Sequence, residues 1–146
     1  MSESSIGRWL AVAAGVVVLA TIVAAIVSMG SPSTQRDIRM DERRVGDLER
    51  IARAVERYED RHDGLPPDLA TLAAEPGQNL AIVDPVGGAA YGYEVTGNDR
   101  YRLCAEFVTD TGKLPGNGRA MVDEDWLHGQ GRQCFDRKLV EESAKD

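Results

Sequence analysis

Apolar residues run without a charge from Trp9 to Met29, WLAVAAGVVVLATIVAAIVSM, and no charged side chain falls between Arg8 and Arg36. A run with no polar face does not suit a surface helix of a water-soluble domain. As a helix, its twenty-one residues span about 32 Å, close to the ~30 Å hydrocarbon core of a bilayer. The pattern predicts a tail at 1–8, a transmembrane helix at 9–29 and a Gly-Ser-Pro-Ser hinge at 30–34. A single domain at 35–140 and a frayed end at 141–146 complete the predicted order. The rival reading is a cleaved secretory signal, because Ser28-Met29-Gly30 places small residues where a signal peptidase accepts them. The apolar run exceeds the ~7–15 residues of a signal h-region, which favours a retained anchor. Both readings put the domain outside the cytoplasm, and the anchor reading leaves 1–8 inside. Arg36, Arg39, Arg43 and Arg44 follow the span and only Arg8 precedes it, a charge count that opposes export. That rule weakens when a long domain follows.

Beyond the hinge the period changes. Thr34 reads as an N-cap with Asp37 three residues on, opening a helix from about Gln35 to Arg61. Val45, Leu48, Ile51, Ala52, Val55 and Tyr58 form its apolar stripe. Its aspartates and arginines, Arg43 and Arg44 included, are expected to face solvent, and Gly64 suits a left-handed stop. Leu65-Pro66-Pro67 turns the chain, and Asp68 caps a short helix in DLATLAAE that ends at Pro76-Gly77. The loop DPVGGAA leads to a strand over Tyr91–Val95, a turn at Thr96-Gly97-Asn98-Asp99 and a second strand over Tyr101–Thr109. On that strand Tyr101, Leu103, Ala105 and Phe107 share one face, and Cys104 and Glu106 the other. A polar loop from Asp110 to Asp125 precedes WLHGQGRQCFDRKLV, which is expected to add a final strand. The predicted fold class is α+β, a long amphipathic helix packed on a small antiparallel sheet.

Composition narrows the function. Seventeen basic against twenty-four acidic residues give a net charge of −7, which argues against nucleic acid and against adhesion to anionic headgroups. Aromatics are few, so the core must be small and mainly aliphatic, and a covalent staple would help it. Cys104 and Cys134 are the only cysteines, an even count in a domain expected to be exported, and are read as a disulfide. The alternatives are two buried thiols, or half a metal site completed by His62 and His128, although the tight C-x₂₋₄-C spacing of zinc sites is missing. Two histidines and a single serine beyond residue 33, Ser143, offer little for nucleophilic catalysis, and no enzyme is expected. His128 beside Trp126 reads either as a general base or as a packing residue, and the pair as a contact ridge for a partner. GGAAYG at 87–92 lacks the following helix that a phosphate cradle needs. Ala11-x₃-Gly15 and Ala20-x₃-Ala24 permit close helix approach, but alanine is common enough in the span for chance to place them.

The ordered succession of RRVGDLERIARAVERYEDRHDGLPPDLATLA, DPVGGAAYGYEV and YRLCAEF behind an apolar helix resembles the type IV pilins and the major pseudopilins of type II secretion. The matching positions are Tyr58, Gly64, Leu65, Pro66, Leu69, Leu72, Asp84, Pro85, Gly87, Tyr91 and Tyr93. The stretch from YRLCAEF to WLHGQGRQCF also resembles uncharacterised bacterial membrane-anchored proteins that pair such a domain with two cysteines. The resembled pseudopilins hold calcium with carboxylates of a late loop. Asp110, Asp123 and Asp125, with Glu124, offer oxygen ligands of that kind, although their spacing fits no loop formula and solvated acids are the alternative. The likeness stops at the N-terminus. A basic leader, a glycine cleavage point, Phe-Thr-Leu and an early glutamate are not found in SESSIGRWLAVAAG, and no acid lies within Trp9–Met29. The resemblance therefore implies a pilin-type domain on a static tether, held in a bacterial inner membrane by residues 9–29. It would serve as a structural module contacting an envelope protein without polymerising. A periplasmic domain sensing a ligand or calcium is the alternative.

Overall fold

In a computed structural model, which describes residues 3–29, 32–114 and 123–139, the apolar run lies within one helix, α1, Glu3–Met29. From Ile6 to Val27 this helix is long and apolar enough to cross a bilayer, and none of it is buried against protein. Its large apolar side chains are at least half exposed on every side, from Ile22 at 50% to Trp9 and Val27 at 76%. Thr21, the hydroxyl within that stretch, donates to the carbonyl of Val18 at 2.8 Å. Its polar group is thus satisfied inside the helix, as a hydrocarbon environment requires.

The chain divides into two compact units after Arg36. The second helix, α2, spans Pro32–His62. It takes in Pro32, Ser33 and Thr34, so Thr34 is not the cap and the hinge expected at 30–34 is helical from its third residue. Proline at a first helical position explains the shift: its φ already suits a helix, and its missing N–H would have found no partner there. Gly30, Ser31 and the tail at 141–146 lie outside the described residues. At the other end the left-handed residue is Asp63, φ 53°, rather than Gly64. Its N–H still reaches the carbonyl of Glu59 at 2.8 Å, closing the last turn.

Three strands form an antiparallel sheet in sequence order: β1 Gly92–Val95, β2 Arg100–Phe107 and β3 Gly131–Lys138. The 96–99 turn closes with Thr96 and Gly97 both donating to the carbonyl of Arg100. A short helix, α3, Leu69–Ala73, is capped by Asp68, whose carboxylate accepts from the Thr71 N–H. The core joins Leu48, Ile51, Ala54 and Val55 of α2 to Leu69 and Leu72 of α3. Tyr91, Trp126 and the inner face of β2, Tyr101, Leu103, Ala105 and Phe107, complete it. The inner and outer faces of β2 fall as the alternation predicts.

Gly92, Cys104 and Cys134 form one row across the outer face, and the two cysteines are bonded to each other. Their Cα atoms are 4.1 Å apart, close to the ~4.5 Å of a non-hydrogen-bonded antiparallel pair. One row away, Arg102 lies between Asp136 at 2.7 Å and Glu94 at 3.8 Å. These charges are exposed and add little stability.

Candidate functional site

The apolar stripe of α2 does not stop at Leu48. Counting back by four and three residues reaches Arg44 and Asp41, and both are buried, at 5% and 2% exposure. Asp47 is buried beside them. This overturns the expectation that the charges of this helix all face solvent. Arg44 is held between two carboxylates: Nη1 donates to Asp41 Oδ1 at 2.6 Å, Nη2 donates to Asp84 Oδ1 at 3.2 Å, and Nε donates to Asp84 Oδ2.

Each carboxylate binds backbone as well. Asp41 accepts the N–H groups of Val108 and Thr109 and the Thr109 hydroxyl, so it receives the chain as it leaves β2. Asp84 accepts the N–H groups of Val86 and Gly87, both at 2.8 Å. Its own backbone bonds Ala89 and Gly88, closing the DPVGG loop before β1. Gly88 takes φ 66°, a conformation that favours glycine. Arg44 and Asp41, paired on one helix, therefore tie it to both ends of the β1–β2 hairpin.

Two buried anions against one cation are tolerable only because each of their carboxylate oxygens has a donor. The hydrogen bond from Arg44 pulls the Asp84 carboxyl down to about 2, against the opposing effect of burial. The same hydrogen bond raises the Arg44 guanidinium further above its already high range. Next to this cluster the Tyr91 hydroxyl donates to Asp47 Oδ2 at 2.9 Å, and Arg50 donates to Asp47 Oδ1 at 2.6 Å. Burial first, and the Asp47 hydrogen bond second, push the Tyr91 phenol well above its ordinary value.

A groove of about 370 Å³ runs over this network and the outer sheet face. Arg44, Asp84, Gly92, Cys104, Glu106 and Arg132 are among its lining residues.

The residues singled out in the sequence are dispersed. Asp110 accepts from Gly112 N–H and lies 3.1 Å from the Lys113 ammonium, which together lower its pKa, the Lys113 contact most. Asp123 caps the 3₁₀ turn Glu124–Trp126 by accepting from Asp125 N–H. Asp125 accepts from Arg137 Nη1 at 2.9 Å. Among the described residues no three His, Cys, Asp or Glu side chains gather as a metal site.

Trp126 and His128 do not form an exposed ridge, since they are only 4% and 7% accessible. Arg137 stacks 4.0 Å from the Trp126 ring, and Phe107 stacks 3.8 Å from His128. His128 is locked through its backbone, exchanging hydrogen bonds with Thr111 Oγ1 in both directions. The signal that could have revealed Asp41 and Arg44 was the three–four periodicity itself, carried two steps N-terminal of Leu48 irrespective of side-chain polarity.

Comparison with protein-family models, curated proteins and solved structures returned no match.

Proposed function

We propose that this chain is a membrane-tethered structural or interaction module whose domain lies on the outer side of a bacterial inner membrane. The observation that carries the reading is α1. Its large apolar side chains from Ile6 to Val27 are exposed all round, and water is a poor solvent for such a surface. The disulfide favours the exported side, where thiols are not kept reduced. The domain's buried charges are engaged with one another and with backbone, so the network serves to fix shape rather than chemistry. The absence of any acid within Trp9–Met29 supports a subunit that stays in the bilayer, because a buried polar group that could set helix register in a filament is missing there. The partner is then a neighbouring envelope protein that contacts the domain surface.

The test is a reporter enzyme, active only outside the cytoplasm, fused after Asp146 and combined with alkaline extraction of membranes. An active fusion that resists extraction is expected. A stable but inactive fusion, or one released by alkali, overturns the reading.

A second reading, a sensor for a small ligand or calcium, draws on the groove beside Arg44. Native mass spectrometry of the purified chain would reveal a retained ligand or ion.

A further inference from the structure

The two halves of the disulfide are chemically unequal. Cys104 lies on the central strand between β1 and β3 and is 7% exposed, whereas Cys134 lies on the edge strand and is exposed. A thiolate must reach the sulfur it attacks, so access directs the nucleophile to Cys134. The leaving side is prepared as well. Gly92 faces Cys104, and the point where a Gly92 Cβ would stand is 3.5 Å from both Cys104 Sγ and Arg132 Nη2. The Arg132 guanidinium and the Cys104 sulfur therefore flank the same space over Gly92, no more than twice that distance apart, and Arg132 makes no ion pair among the described residues. Glu106 lines the same groove opposite Arg132, and Arg44 is already committed to Asp41 and Asp84. A cation next to a thiol lowers its pKa, and a lower pKa makes a better leaving group. The groove of about 370 Å³ gives the released side chain somewhere to turn.

We infer that Cys104–Cys134 is a directional thiol-exchange site, modified at Cys134 by a low-molecular-weight thiol. The incoming thiolate forms a bond to Cys134 Sγ, the Cys104–Cys134 bond breaks, and its electron pair departs with Cys104 as a thiolate in the groove that Arg132 also lines. The first step exchanges one disulfide for another. A second thiolate, attacking the sulfur of the thiol bound to Cys134, frees the Cys134 thiolate and carries away a thiol disulfide, which completes the two-electron reduction.

The experiment exposes the folded, detergent-solubilised full chain to glutathione, followed by an alkylating pulse and a tryptic map. Cys104 falls in the peptide Leu103–Lys113 and Cys134 in Gln133–Arg137, so the two are read separately. The expected product carries glutathione on Cys134 and the alkyl group on Cys104, in roughly tenfold excess over the reverse. Equal amounts, the reverse pattern, or no product until denaturant is added overturns the inference. Arg132→Gln should slow the exchange several-fold and Arg132→Lys should restore most of the rate. An unchanged rate in Arg132→Gln, with circular dichroism confirming the fold, equally overturns it.

Discussion

Gly92 stands directly opposite Cys104 in the β1–β2 register, and a Cβ built on it would lie 2.9 Å from the Cys104 Cβ. The Cys104 side chain cannot swing aside, because the bond to Cys134 pins it. The sheet has room for a disulfide in this row only because its third member has no side chain. Gly92→Ala should therefore destabilise the domain by about 1–3 kcal/mol, as overpacking does. Urea unfolding of the oxidised protein measures it, and reduction should lessen the penalty by freeing the Cys104 rotamer.

Removing the central cation should be far more damaging than removing an exposed one. Arg44→Met leaves Asp41 and Asp84 buried without their counter-charge, for an expected loss of about 3–5 kcal/mol. Arg53→Met removes only a 3.7 Å contact with Glu49 from a side chain 56% exposed, and should change stability by less than about 0.5 kcal/mol. Denaturant midpoints of the two variants make the comparison.

Acid should attack the same cluster. The folded-state value of Asp84 lies below its unfolded value, so its contribution is fully present above about pH 4 and is lost as pH falls toward 2. The shift corresponds to roughly 2 kcal/mol. Asp84→Asn should flatten the stability profile between about pH 4 and pH 2 while lowering stability at neutral pH. Chemical denaturation across that window reads both effects.

Alkali probes the tyrosines in the opposite sense. Burial raises Tyr93 to about 12, and Tyr91 and Tyr101 further still. Folding favours their neutral forms, so the stability they add is present below about pH 10 and falls as pH rises above it. Ultraviolet titration should show phenolate absorbance from these residues arriving late and together with unfolding.

Opening the disulfide releases a loop with a sequence separation of 30, for an expected loss of about 3–4 kcal/mol in the chain-entropy account. Cys104→Ser and chemical reduction should lower the melting temperature alike. Intact mass before and after reduction should differ by two hydrogen atoms.

Local pattern made much of this fold readable. The stripe from Leu48 to Tyr58, the Asp68 cap, the Thr96–Asp99 turn and the two faces of β2 each depend on residues a few positions apart. The cluster around Arg44 does not. Asp84 is 40 residues from Arg44, and Thr109 is 68 from Asp41, so no local window shows that a charge on α2 will be satisfied in the interior. Side-chain type misled as well, because a stripe defined by apolar residues ends at Val45 while the buried face continues to Asp41. Trp126 and His128 followed the same logic in reverse. The sequence offers them as a contact ridge, with packing as the alternative for His128, and Arg137 and Phe107 cover them once the strands pair.

The position of Arg44 along its helix has a mechanical consequence. Tension arriving along the N-terminal chain enters the domain through α2, and it meets Asp41, Arg44 and Asp47 before it reaches Leu48 and the apolar stripe. At that point the helix is riveted to the loop at Asp84, to Tyr91 and to the backbone at Val108 and Thr109. A pull is thus shared among several charge-assisted bonds loaded in parallel, at the end of the domain where the load enters.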